Sequence, residues 1–307
     1  MRVLLHYDTD FSGVDPNGVD LQVASCPEED DERFAELLPE AEVIWHVLRP
    51  LTAADLARAP RLRLVQKLGT GVNTIDLDAA AERGVAVANM PGTNAQAVAE
   101  TSLLLMLAAL RRVVTFDART REGRGWPADR ALVGGELSGR TVGLLGGGQI
   151  AGLLRGMLEA IGATVLYTSR RPRPDDPAWR ELDDLLRASD IVSVHIPLTA
   201  ETHHLLDRER LALLPPGAIV VNTARGAIID EAALVEALAS GRLGGAGLDV
   251  FEHEPVPAGN PLLALDTVVA MPHVAWLTRE TWDRYFAVAV ENCRRLASGE
   301  DLLHRVR

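Results

Sequence analysis

Residues 141–151 read Thr141-Val-Gly-Leu-Leu-Gly146-Gly-Gly148-Gln149-Ile150-Ala151: a short apolar run, a glycine turn, then the start of a helical pattern. Few local sequences restrict a fold as tightly. The apolar run is a strand, and the turn has the spacing G-x-G-x-x-A. Gly146 permits the tight turn, Gly148 leaves the backbone open to a ligand, and the small Ala151 lets helix and strand pack closely. Gln149 and Ile150 open the helix, whose first N–H groups lack intrahelical acceptors and attract anions. A glycine turn alone is weak evidence. Between a strand and a helix, at the head of a βα series, it is the setting in which such a turn holds the pyrophosphate of a dinucleotide.

That series is present. Thr141–Leu145, Thr164–Thr168, Ile191–Val194, Ile219–Asn222, Gly245–Leu248 and Val268–Ala270 are apolar strand candidates separated by helical patterns, as in one Rossmann-type sheet. An earlier series has strands at Val3–Tyr7, Val43–Val47, Leu64–Lys67 and Val85–Ala88, with helices at Glu29–Leu38, Ala53–Ala59 and Asp78–Arg83. Between the two lies Ala95–Arg112, apolar on nearly every face. Such a helix is either a core helix or a domain bridge and subunit wall. Arg279–Ser298 is helical again and is read as returning to the first domain. The expected fold is therefore α/β with two parallel-sheet domains. Residues 96–279 form a Rossmann-type dinucleotide-binding domain, and 1–95 plus 280–307 form a discontinuous, flavodoxin-like substrate domain.

Bulk properties exclude some functions. A chain of 307 residues can hold two such cores. Its formal charge of −12 argues against an electrostatic nucleic-acid or anionic-membrane binder. Its longest apolar stretch, Leu103–Leu110, falls far short of the roughly 20 residues of a membrane helix. Met1–Tyr7 runs into Asp8 as a first strand does, not as a signal peptide. Cys26 and Cys293 lack metal-ligand spacing, so no metal is expected, and free thiols suit a reducing cytoplasm.

The end of the second Rossmann strand sets cofactor choice. Where NAD-binding folds carry an acid for the ribose 2′-OH, this chain reads Tyr167-Thr168-Ser169-Arg170-Arg171. Guanidinium forks and hydroxyl donors suit a 2′-phosphate, which favours NADP(H) over NAD(H). A solvated basic turn beside a permissive NAD site is the alternative.

Three later strand ends carry the groups a carbonyl reduction needs. Asn222-Thr223-Ala224-Arg225-Gly226 follows one strand, Asp249-Val-Phe-Glu252-His-Glu254-Pro255 the next, and Met271-Pro272-His273-Val-Ala-Trp276 the one after. In an open α/β sheet ligands bind at these carboxyl edges. Reduction requires hydride at carbon and a proton at oxygen. Histidine suits the proton transfer, a neighbouring carboxylate favours imidazolium, and an arginine can fix a substrate carboxylate and polarise the carbonyl. Taken singly, each of these residues has an ordinary structural explanation.

In order and spacing, Gly146–Ala151, His195-Ile-Pro197-Leu-Thr199, Asn222–Asp230, Gly247–Pro255 and Pro272-His273, with Val85–Glu100 before them, resemble the signatures of the D-isomer-specific 2-hydroxyacid dehydrogenases. The likeness runs from about Leu64 to Ala275. It implies Arg225 as the substrate-binding arginine, His273 as proton donor or acceptor and Glu254 as its partner, Glu252 falling at a variable position. It further implies cofactor contacts at His195, Pro197, Thr202, Thr223, Ala224 and Asp249, and substrate contacts at Gly69, Thr70 and Gly71. A small keto acid such as glyoxylate or hydroxypyruvate and a homodimer follow from the same resemblance. Thr168 departs from the family's usual acid, and Thr70 stands where phosphite-oxidising relatives carry lysine. Formate dehydrogenases pair the histidine with glutamine, whereas this chain offers Glu254. Trp276 is either a pocket wall or a core aromatic; Trp45-His46, at a strand end of the first domain, either faces the cleft or is structural, the structural reading being favoured for His46. The remaining alternatives are an NAD-dependent enzyme for another acid and a nucleotide-sensing binding protein of the same fold.

Overall fold

In chain order the regular elements are β1 (Arg2–His6), β2 (Gln22–Ser25), α1 (Asp31–Leu37), β3 (Val43–His46), α2 (Ala53–Ala57), β4 (Leu64–Lys67), α3 (Leu77–Glu82), β5 (Ala86–Ala88), α4 (Ala95–Leu110), α5 (Val113–Arg121), β6 (Thr141–Leu145), α6 (Gln149–Ile161), β7 (Thr164–Thr168), α7 (Leu182–Ala188), β8 (Ile191–Val194), α8 (Arg208–Leu211), β9 (Ile219–Asn222), α9 (Glu231–Ala239), β10 (Gly245–Leu248), β11 (Val268–Ala270) and α10 (Arg279–Ser298). They come from a computed structural model that describes residues 1–9, 11, 14–15, 18–129 and 132–307. The chain divides into two units, Met1–Asn94 with Leu277–Arg307, and Ala95–Trp276.

The first unit holds a parallel sheet in the order β2-β1-β3-β4-β5, the flavodoxin-like arrangement. Strands β3 and β4 are buried along their whole length, as inner parallel strands must be. Register puts Leu4 beside Ile44, Ile44 beside Val65, and Val65 beside Val87. These side chains share a core with Phe34, Leu38, Leu56 and Ala80. The opposite face carries Trp45 and Gln66, and α10 covers it. Trp45 packs on Phe286 with ring centroids 5.8 Å apart, and Gln66 accepts a 2.6 Å hydrogen bond from Asn292. Asn292 also takes the Leu303 amide and donates to the Leu303 carbonyl, and the tail beyond it pairs with Val87. The edge strand β2 has no sequence signal. Gln-Val-Ala-Ser is short, and none of its side chains is fully buried.

The second unit holds a six-stranded parallel sheet in the order β11-β10-β9-β8-β6-β7. Strand order reverses between β6 and β8, which makes a topological switch point there. A strand beyond β7 is reduced to a single parallel bridge, Tyr167 to Trp179, with Tyr167 N donating to Ala178 O and Arg180 N to Tyr167 O. Helices α4 and α6 share the core of one sheet face, and α7 and α9 that of the other. Helix α4 buries Ala99, Ser102, Leu105, Met106 and Ala109 and leaves Leu104 and Leu107 55% and 37% exposed. It stops at Leu110, because Arg112 takes a left-handed conformation (φ +50°) that turns the chain into α5.

Candidate active site

The glycine turn lies at the carboxyl end of β6, beside the switch point. Gly146 has φ +120°, and a Cβ there would stand 2.5 Å from the His195 carbonyl oxygen, so only glycine fits. Its amide donates to Thr168 O, tying the turn to β7. Gly148 caps α6 without a side-chain acceptor, and a Cβ on it would meet nothing within 4 Å. The approach to the α6 N–H groups past Gly148 and the exposed Gln149 is open. Ile150 is half-buried against the α4–α6 core.

Thr168 and Ser169 are half-buried beside this turn, with Ser169 Cβ 3.7 Å from where a Cβ on Gly147 would be. Ser169 donates to Arg171 O at 2.7 Å, folding the strand end back on itself. Arg170 and Arg171 are exposed, and among the described residues neither forms an ion pair. Across from them, the loop after β8 begins with His195, whose Nε2 lies 2.9 Å from Ser193 Oγ and whose ring burial pushes down to a pKa of about 4. Pro197 accepts from the Thr202 hydroxyl, which in turn accepts from Thr199 N. Thr202 thus fastens the loop. Thr223 is buried with its hydroxyl 2.9 Å from Ser102 of α4, and Ala224 N donates to Asn222 Oδ1.

Arg225, Glu254 and His273, from three successive strand ends, meet in one cluster. The Gly226 Cβ position would fall 1.9 Å from the Phe251 carbonyl carbon, so backbone rests directly on backbone there. That contact brings the loop bearing Arg225 against the loop bearing Glu254. Burial lowers the pKa of the half-buried Arg225, and Glu254 pulls it back up. Its Nη1 donates to Ala224 O at 2.6 Å. His273 Nδ1 lies 2.6 Å from Glu254 Oε2, and Glu254 Oε1 accepts from Phe251 N. Burial alone would raise the Glu254 carboxyl; the His273 hydrogen bond and charge, the Phe251 amide and Arg225 outweigh it and hold the group below its ordinary value.

The histidine is held from several sides. It has φ +59°, a region that histidine visits more readily than most residues. Its amide donates to Asp249 O at 2.7 Å, and its carbonyl accepts from Trp276 Nε1 at 3.0 Å. The buried Asp249 gives one carboxylate oxygen to Val274 N and the other to Ala275 N. Burial raises its pKa against those two amides. Asp249 and Trp276, expected at a cofactor contact and as either pocket wall or core, here help to fix the His273 loop.

In the first unit, Leu68-Gly69-Thr70-Gly71 leaves the carboxyl end of β4. Asn89 Nδ2 donates to Thr70 O, and Met90 N to Gly69 O. Among the described residues no backbone carbonyl accepts from the amides of Gly69, Thr70 or Gly71. Trp45 and His46 are fully buried, with His46 Nε2 2.6 Å from Arg49 O and Nδ1 3.3 Å from Lys67 Nζ. Burial and the Lys67 charge keep His46 well below an ordinary histidine.

Sequence reading passed over several residues that build this site. Gly226 carries a signal, a glycine straight after a strand-end arginine, but its reason is visible only in the contact with Phe251. Glu231 has none: it accepts from Glu252 N and from Asn260 Nδ2, bracing the Glu254 loop from 21 or more residues away.

The D-isomer specific 2-hydroxyacid dehydrogenase NAD binding domain profile matches residues 103–275. A glyoxylate reductase of Aeropyrum pernix is 41% identical over 272 residues, 85% of this chain and 81% of that one. A hydroxypyruvate reductase of Thermotoga maritima is 40% identical over 282 residues, 90% of each chain. A D-3-phosphoglycerate dehydrogenase of Mycobacterium tuberculosis is 40% identical over 88% of this chain, which spans about half (52%) of that protein's length. The crystal structure of the TT0316 protein from Thermus thermophilus superposes with a TM-score of 0.90 over the whole of both chains, at 38% identity. This chain belongs to the D-isomer specific 2-hydroxyacid dehydrogenases, and its chemistry is that of a nicotinamide-dependent oxidoreductase.

Proposed function

We propose that this protein reduces a small 2-keto acid, glyoxylate or hydroxypyruvate, with NADPH. The observation that carries the reading is the 2.6 Å His273–Glu254 pair beside Arg225, on the carboxyl edge of the sheet whose first turn is Gly146–Gly148. The open α6 N-terminus fits a pyrophosphate. Thr168 and Ser169, with Arg170 and Arg171, which form no ion pair among the described residues, fit a 2′-phosphate, and Tyr167–Arg171 itself carries no acid. Gln149, Ile150, His195, Pro197, Thr202, Thr223, Ala224 and Asp249 complete the assignment to the cofactor side, several of them by shaping the loops that line it.

When bound, the nicotinamide supplies the hydride to the substrate carbon. The protein's own part is placement and proton transfer. Arg225 holds the substrate carboxylate with its planar fork and draws electron density toward the carbonyl oxygen. His273, its Nδ1 engaged by Glu254, presents Nε2 to that oxygen and gives it a proton. Glu254 stabilises the imidazolium before transfer and orients the ring throughout. In the first unit, Gly69, Thr70 and Gly71 are the residues we assign to the substrate anion; in the second, Trp276 serves by holding the His273 carbonyl.

We further place the contact between two copies of the chain on α4 and α5, where Leu104, Val113 and Val114 are each at least half exposed. The cytoplasm suits the two cysteines, both buried and unbridged. The reading is tested by NADPH and NADH oxidation with glyoxylate, hydroxypyruvate, pyruvate, 3-phosphohydroxypyruvate and longer keto acids. Turnover of the two small acids with NADPH is expected. A clear preference for NADH or for the phosphorylated acid overturns the specificity, and no turnover of any acid overturns the enzyme.

A further inference from the structure

We infer that His203, His204 and Glu252 form a divalent metal site, matched best to Zn²⁺, that fastens the loop after β8 to the loop after β10. The reading is independent of the proposed reaction. His204 Nε2 lies 2.7 Å from Glu252 Oε1, and the His203 and His204 rings stack with centroids 4.0 Å apart. One nitrogen from each ring and one carboxylate oxygen lie within 4.8 Å of one another. The two histidines lie in the turn after β8, where His204 takes φ +50°, and this turn sets their rings side by side.

The surroundings hold that arrangement. His203 N donates to Thr199 O and His204 N to Ala227 O, while Leu206 N reaches Ile228 O, so the histidine backbone is pinned on both sides. Glu252 N donates to Glu231 Oε2, and Asn260 holds the other Glu231 oxygen. A hydrogen bond between the two loops needs only His204 and Glu252. The exposed His203, stacked on the same spot, adds the third donor that makes a chelate. Two imidazoles and one carboxylate are a zinc donor set with a fourth position for water, whereas Mg²⁺ and Ca²⁺ select oxygen ligands. The sequence gives no such hint, because adjacent histidines and a glutamate 48 residues on match no ligand spacing.

Glu252 stands two residues before Glu254. A bound ion therefore steadies the segment that carries the carboxylate of the His273–Glu254 pair, and it stabilises the folded chain by mass action.

The test uses the full-length, chelator-treated protein, with Zn²⁺ by equilibrium dialysis and Co²⁺ as a visible-absorption probe. One Zn²⁺ per chain, a raised Tm and cobalt d–d bands of a tetrahedral nitrogen–oxygen site are expected. His203→Ala alters an exposed side chain and should fold normally. It and Glu252→Gln should each weaken Zn²⁺ at least about tenfold and remove the cobalt bands. His253→Ala, at the exposed neighbouring histidine, should change neither. Failure to take up Zn²⁺ at micromolar concentrations overturns the site. So does uptake that survives His203→Ala and Glu252→Gln, or that disappears in His273→Ala instead.

Discussion

At the scale of single residues, the site is a problem of holding charge in place. The Glu254 carboxyl is held below its ordinary value, so its charge is fully available to the pair above the usual carboxylate range and is lost as pH falls through the depressed folded value. A ¹³C titration of the glutamate carboxyls, with Glu254→Gln identifying the resonance, should place its midpoint below the ordinary value of about 4.3. A midpoint at or above that value contradicts the coupling. In keto-acid reduction, Glu254→Gln keeps shape but loses charge. It should cause only a partial loss of maximal rate, because the ring keeps its hydrogen bond while the charge beside it is gone. His273→Ala should cost about 10²–10⁴-fold, the range that general acid–base catalysis supplies. Arg225→Lys keeps the charge yet loses the fork, so keto-acid kcat/KM should drop by about tenfold or more while cofactor affinity holds. Near-normal efficiency would assign the substrate carboxylate to another group.

At the scale of elements, each strand end carries one part of the work, and the end of β7 carries cofactor choice. Replacing both Arg170 and Arg171 with Ala should raise KM for NADPH about tenfold or more, since a charge-assisted bond contributes roughly 1.5–3 kcal/mol, and should leave KM for NADH near its original value. Equal KM for the two cofactors in the unmodified protein would remove the 2′-phosphate pocket. The six strands of the second unit were legible because each is an apolar run closed by a polar or glycine turn. Gly146, Arg225, Glu254 and His273 stood out because the chemistry of each needs that residue type at a strand end. What the sequence hid depends on contacts across loops. Asp249 looks like one more acid at a strand end until its two oxygens are seen on the amides of Val274 and Ala275. The edge strand β2 and the bridge at Trp179 were missed because a strand paired on one side needs no long apolar run. The break between α4 and α5 turns on the backbone of Arg112, which composition does not reveal.

At the scale of the molecule, an acidic surface that keeps chains apart is interrupted by apolar side chains on α4 and α5. Sedimentation equilibrium should give a dimer, and Leu104→Glu with Val114→Glu should give a folded monomer. A wild-type monomer at micromolar concentration would remove that interface. The other feature with consequences at this scale is α10, which covers the Trp45 and Gln66 face of a sheet whose strands all precede Asn94. The ribosome makes that sheet first and its cover last, after the whole of Ala95–Trp276. Domains fold as units while they emerge, so the later-made unit should reach its native state while the earlier-made one still waits. Nascent chains stalled after Trp276, with enough linker to clear the exit tunnel, should resist protease across β6–β11 yet be cut within β1–β5, and only chains extended past Ser298 should protect both. Until then the exposed face of the first sheet is a site for chaperones to occupy, and a delay in translating the last helix should lower the yield of active enzyme more than the same delay placed before β6.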